Sequence, residues 1–200
     1  MPSPIEFYFD FSSPYAYLAS ECIDAMAERH GRVVVWKPIL LGIVFRATGS
    51  RPLVDQPLKG DYAKIDVFRT ARFLDVPFHW PTPFPVATQA AARAYYWLEQ
   101  QDPVAARCLA QGLFRAFFVH SRNIGDPEVV LAVAGEQGHA ATAAAAALED
   151  PALKERLRQE TDTAVARGVY GAPFIFVDGE PFFGTDRFAQ IERWLQQGGF

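Results

Sequence analysis

The sequence predicts an α/β fold whose strands lie near the two ends of the chain and whose middle is an inserted all-helical block. Three features carry that reading. Apolar runs of strand length fall at 5–11, 33–36, 174–177 and 181–183. From about 58 to 150 the apolar residues recur at helical spacing instead. Asp102-Pro103, Asp126-Pro127 and Asp150-Pro151 each pair a capping carboxylate with a proline suited to the first helical position.

In order along the chain, Ile5 to Phe11 is rich in aromatics and suits a strand buried in a sheet. The run breaks at Ser12-Ser13-Pro14. Tyr15, Leu18, Cys22, Ile23 and Met26 then share one face of a helix expected over 14–29, closed by His30-Gly31. Val33 to Trp36 reads as a second strand ended by Pro38. Strand, helix, strand opens a parallel βαβ unit. Leu41 to Leu58, punctuated by glycine at 42 and 49 and proline at 52 and 57, reads as a surface loop that carries function.

Tyr62, Ile65, Phe68 and Phe73 predict one helix. Pro77 to Pro85 is too dense in proline to be anything but a loop, since each proline removes a backbone donor. Further helices are expected at 86–101, 103–119, 127–137, 139–148 and 151–167, the last ended by Gly168. Phe174 to Val177 is a strand, and Asp178-Gly179 is a strong hairpin signal before Pro181 to Phe183. A final helix places Phe188, Ile191, Trp194 and Leu195 on one face. The order βαβ, helices, αββα is that of a thioredoxin fold. Its domain would be discontinuous, 1–57 and 150–200, around a helical domain at 58–149.

Composition narrows the function. Two hundred residues, half of them hydrophobic, suffice for a substantial core. A net charge of −4 with mixed charge patterning offers no basic face for nucleic acid. No apolar run reaches bilayer length and the N-terminus lacks a basic leader, so a cytoplasmic protein away from membranes is expected. Cys22 and Cys108 stand far apart, in no metal-like spacing, and both read as core residues.

The chemistry concentrates at the first strand–helix junction. Ser12 and Ser13 sit where a strand ends and a helix begins, a place that offers unpaired N–H groups and the positive end of a helix dipole. Such a place stabilises an anion, and a thiolate in particular. None of the histidines (His30, His79, His120, His139) forms a local triad with a serine. Ser13 is therefore read as a hydrogen-bond donor to a thiolate and not as a nucleophile. Lowering a thiol pKa from about 8.5 towards neutrality takes roughly 2 kcal/mol, within reach of one charge-assisted hydrogen bond and a helix end. Asp10 is read as a strand-end polar residue. Phe45, Phe78, Trp80, Phe84 and Trp97 are mostly core, with some of them walling an apolar substrate pocket.

Phe7-Tyr8-Phe9-Asp10-Phe11-Ser12-Ser13-Pro14-Tyr15, Gly171-Ala172-Pro173-Phe174 and Phe183-Gly184-Thr185-Asp186-Arg187, in that order, resemble the 2-hydroxychromene-2-carboxylate isomerases. These are glutathione-dependent relatives of the kappa-class glutathione transferases and of the DsbA-like oxidoreductases. The resemblance implies glutathione as cofactor, a small aromatic substrate and a homodimer. It places the reactive serine on Ser13 and the backbone anchor for the cysteinyl group on Ala172, before a cis Pro173. It places the γ-glutamyl end on Thr185 and Asp186, and the glycyl end on Lys59. Ser50 stands where relatives often carry asparagine.

The resemblance implies isomerisation of 2-hydroxychromene-2-carboxylate or a related aromatic hydroxy acid, with thiolate adding reversibly to the ring-opened substrate. The alternatives are a kappa-type transferase or peroxidase and a non-catalytic thioredoxin-like binding module. Disulfide exchange is excluded at this site, because Ser13-Pro14-Tyr15-Ala16 has no sulfur at either end.

Overall fold

A computed structural model describes residues 2–200. Four strands form one mixed sheet in the order β2-β1-β3-β4: β1 Ile5–Phe9, β2 Val34–Pro38, β3 Phe174–Val177 and β4 Glu180–Phe183. β1 runs parallel to β2, pairing Phe7 with Trp36, and antiparallel to β3, pairing Phe7 with Ile175. β3 and β4 form the expected hairpin, whose turn residues Asp178 and Gly179 take φ of 53° and 90°. Pro38 is the last residue of β2 and pairs with Phe9, so the strand extends two residues beyond Trp36.

The central strands read as unbroken apolar runs because both faces of the sheet are covered. Ile5, Phe7, Phe9, Ile175 and Val177 face a large core shared with the inserted helices. Tyr8, Phe174 and Phe176 face a smaller cluster with Ile39, Val44, Ala164 and Val169.

The segment expected as one helix at 14–29 is two, α1 Pro14–Ser20 and α2 Ile23–Arg29. Ser20 Oγ donates back to the Tyr17 carbonyl at 2.7 Å, a bond that favours a bend, and Glu21 is held by Arg115 through two bonds of 2.8 and 2.6 Å. The stretch expected as a loop after β2 holds a helix instead, α3 Leu41–Thr48, followed by a short 3-10 turn at Leu53–Asp55.

The middle of the chain is helical as expected: α4 Lys59–Phe73, α5 Gln89–Glu99, α6 Pro103–Phe118, α7 Pro127–Glu136 and α8 Ala141–Glu149. Asp102, Asp126 and Asp150 cap α6, α7 and α9 (Pro151–Ala166) with their side chains. Pro77 to Pro85 is loop. A 3-10 turn at Thr185–Arg187 leads into α10 Phe188–Gln197. Cys108 is exposed and Cys22 half-buried, so neither is the core residue its apolar neighbours suggested. No helix among the described residues is long and apolar enough to cross a membrane.

Candidate active site

The junction between β1 and α1 is a hub of long-range hydrogen bonds. Asp10 is 4% exposed, and its Oδ1 accepts the Ser12 N–H at 2.8 Å, a local turn. Its Oδ2 accepts the Leu41 N–H at the start of α3, also at 2.8 Å. Burial nevertheless pushes the Asp10 carboxyl above its usual range, because desolvation outweighs these donors. Ser12 Oγ accepts the Val86 N–H at 3.1 Å, which ties the proline-rich loop to the same corner.

Ser13 caps α1. Its backbone is extended (φ −93°, ψ 113°), and its Oγ accepts the Ala16 N–H at 3.2 Å. The same Oγ donates to the Ala172 carbonyl at 3.0 Å, and the Ala172–Pro173 bond is cis. Two segments 159 residues apart therefore meet at one hydroxyl. At 6% exposure Ser13 is largely covered but still lines the cleft described below. To donate to a ligand, its single proton must swing off the Ala172 carbonyl.

Tyr15, the second residue of α1, fastens the opposite side. Its hydroxyl donates to Asp66 of α4 at 2.8 Å, and Asp66 also takes bonds from Tyr62 and Arg69, both at 3.3 Å. Burial and the Asp66 carboxylate hold the Tyr15 phenol well above its usual range, so it stays a neutral donor. The Tyr15 carbonyl accepts from Thr185 Oγ1 at 2.8 Å, which fixes the turn before α10 against α1.

These segments enclose a cleft of about 880 Å³. Ser13, Ala172, Pro173, Thr185 and Asp186 all line it. Lys59 does not; it is exposed at the first turn of α4. Ser50 and Arg51 line the cleft on that side instead. Of the aromatic candidates, Phe45, Trp80 and Phe84 form part of the wall, with Trp80 and Phe84 in edge contact at 5.0 Å. Phe78 and Trp97 pack against the helical core. None of the histidines lines the cleft, so no imidazole base faces Ser13.

The residues present fit a γ-glutamyl thiol. The turn at Thr185–Arg187 has no capping side chain, so its first N–H groups are free for a carboxylate. Gly184, at φ 107°, brings the backbone so close that a Cβ there would lie 2.5 Å from Asp186 Oδ1. Asp186 offers a carboxylate to an amine. Ser13 offers a hydroxyl to sulfur, beside the carbonyl of Ala172.

Reading from sequence missed the roles of Asp10, Ser12, Tyr15 and Asp66. Only Asp10 carried a local signal, since aspartate two residues before a break commonly accepts the backbone N–H there. The others act through partners remote in sequence.

Comparison with known proteins agrees with this fold. A family model for the DSBA-like thioredoxin domain matches residues 4–196. Glutathione S-transferase kappa 1 of Caenorhabditis elegans is 30% identical, over 96% of this chain and 91% of that protein. A 2-hydroxychromene-2-carboxylate isomerase of Pseudomonas putida is also 30% identical, over 94% of this chain and 92% of the relative. The solved structure of a 2-hydroxychromene-2-carboxylate isomerase superposes with a TM-score of 0.88 at 26% identity, covering 98% of this chain and 95% of the other. The chain belongs to the DsbA-like thioredoxin-domain family, in the group of enzymes that unites the 2-hydroxychromene-2-carboxylate isomerases with the kappa glutathione transferases.

Proposed function

We propose that the protein is a glutathione-dependent isomerase of 2-hydroxychromene-2-carboxylate or a closely related aromatic hydroxy acid. The observation that carries this reading is Ser13. It is a largely covered hydroxyl at a helix start, bonded to the residue before a cis proline, and it opens onto a cleft with an aromatic wall and no histidine. A cleft so built favours a bound thiolate and lacks any group to make the serine itself a nucleophile.

Glutathione, when bound, would supply a thiolate for reversible addition to a conjugated carbon, a role in which it is not consumed. The protein's own residues orient and shield. Thr185 and Asp186 hold the γ-glutamyl end, the Ala172 backbone aligns the cysteinyl group, and Ser13 turns its O–H from the Ala172 carbonyl to the sulfur. That hydrogen bond, with the Tyr15 N–H left free at the start of α1, favours the thiolate over the thiol. Trp80 and Phe84 cover the aromatic ring and exclude water. Lys59, exposed beyond the cleft, would reach the glycyl end only by extending its side chain inward.

The test is turnover of 2-hydroxychromene-2-carboxylate with and without glutathione, with free thiol measured in parallel. Thiol-dependent conversion with thiol conserved, and strongly reduced in Ser13→Ala, is the expected result. A kappa-type transferase is the second reading, favoured by the equal identity to the nematode protein. Conversion that drains thiol would establish it. Absence of any glutathione-dependent turnover would sink the isomerase.

A further inference from the structure

The junction between β1 and α1 brings three hydroxyl-bearing residues to the cleft: Ser12, Ser13 and Tyr15. Two of them commit their proton within the protein. Ser13 Oγ donates to the Ala172 carbonyl at 3.0 Å, and Tyr15 Oη donates to Asp66 at 2.8 Å. Ser12 differs. Its Oγ accepts the Val86 N–H at 3.1 Å, and its own proton has no acceptor among the described residues. A serine hydroxyl that accepts one bond still has that proton to give.

This hydroxyl is also held in place from two sides. Asp10 Oδ1 accepts the Ser12 backbone N–H at 2.8 Å, and the Val86 N–H fixes the side-chain oxygen. An oxygen that accepts a hydrogen bond donates a stronger one in turn. Ser50, Thr70 and Tyr170 line the cleft too, but no hydrogen bond anchors their hydroxyls among the described residues, and Ser50 and Tyr170 are exposed. Ser12 sits, moreover, between the two halves of the site. Ser13 follows it in the chain, and Val86, its partner, follows Phe84 and Pro85 in the cleft wall. A ligand that reaches from the thiol pole to the aromatic wall passes Ser12.

We propose that Ser12 is the hydrogen-bond donor to the keto oxygen of a conjugated 2-oxo acid bound in this cleft, an inference that rests on the thiol-isomerase reading. When a nucleophile adds to the far end of such a conjugated system, a π pair moves onto the keto oxygen. The pair returns when the nucleophile leaves. Ser12 keeps its proton throughout; its hydrogen bond strengthens as the oxygen becomes negative, which is how a fixed donor lowers the barrier.

A bound chromophore tests this without turnover. The full chain, in excess, is saturated with γ-glutamyl-alanyl-glycine, a tripeptide with no sulfur to add, and mixed with trans-benzylidenepyruvate. That probe has no phenol to ionise, so its absorption follows polarisation of the conjugated carbonyl. The band of the probe on wild type is expected to lie to the red of its band on Ser12→Ala, and Ser12→Thr should restore the wild-type position. Coincident bands on wild type and Ser12→Ala, or no binding of the probe to wild type, overturn the assignment.

Turnover supplies a second readout. Ser12→Ala should lower kcat about 100-fold, the scale of one lost oxyanion donor, with a smaller change in KM. Its pH profile should match wild type, because the thiolate is assigned to Ser13. A raised KM with kcat intact would reduce Ser12 to a tether for the proline-rich loop. The isomerase reading fails on a different result, the absence of thiol-dependent turnover in wild type.

Discussion

The carboxylate of Asp10, just past the end of β1, accepts the backbone N–H of Leu41 at 2.8 Å and so caps a helix 31 residues away. α3 has no capping side chain of its own; its start is held by Asp10 and by Thr161 of α9, which accepts the Leu40 N–H at 3.2 Å. One buried group therefore sets both the turn that carries Ser13 and the helix that brings Phe45 to the cleft wall.

Asp10→Asn tests this directly. An amide has one acceptor oxygen, so the Ser12 or the Leu41 N–H must then face an NH₂ group. The expected cost is about 1–3 kcal/mol in urea unfolding, since a buried donor loses its partner. The sign with pH is distinctive. The folded carboxyl lies above its unfolded value of about 3.9, so its protonation favours the fold. The stability of wild type relative to the Asn variant should be greatest below about pH 3.9 and decline as pH rises through the folded value. A flat difference across that range would show that the buried carboxylate does not titrate as argued.

Ser13→Ala removes both a helix cap and the donor to sulfur. Loss of the cap costs about 1 kcal/mol of stability. Loss of roughly 2 kcal/mol of thiolate stabilisation lowers thiol-dependent turnover about 30-fold near neutral pH. Turnover should also require a higher pH, because the bound thiol is then harder to ionise. An unmoved pH profile would reduce Ser13 to a cap.

Glu6 and Arg167 offer a stability test away from the cleft. Arg167 donates to both Glu6 oxygens, at 2.6 and 2.9 Å, and also to Tyr8 Oη at 2.6 Å. Its hydrogen bond holds the Glu6 carboxyl below the usual range against the effect of burial. Glu6→Gln should cost about 1 kcal/mol at pH 7. Because the folded value is depressed, this difference is present above about pH 4.3 and fades as pH falls through the folded value. Chemical unfolding at pH 7 and pH 3 measures both ends.

Trp80→Ala separates the aromatic wall from the thiol pole. Removing the ring should raise KM for the aromatic substrate about tenfold, the scale of a lost apolar contact. Glutathione affinity should hold. A matching loss in both would place Trp80 against the thiol instead.

Much of the fold is legible in the sequence because its signals are local. The Asp-Pro pairs announce three helix starts whose capping atoms lie two or three residues from the N–H groups they bind. The Asp178-Gly179 turn and the apolar runs of β1 and β3 are equally self-contained. The α3 helix is not, since its cap comes from a strand before it and a helix long after it. The break between α1 and α2 depends in part on Arg115, far along the chain.

The sequence by itself determined that the chain builds a thioredoxin-like α/β fold with a helical insertion. It also determined that Ser13 stands at a helix start with no sulfur beside it, because residue type and short-range spacing suffice for both. Only the tertiary structure decided what surrounds that serine. The bond from Ser13 to Ala172, the tie from Tyr15 to Asp66 and the exposure of Lys59 outside the cleft are relations between distant segments. Their partners are chosen by how the sheet and the inserted helices pack, and no local pattern encodes that choice.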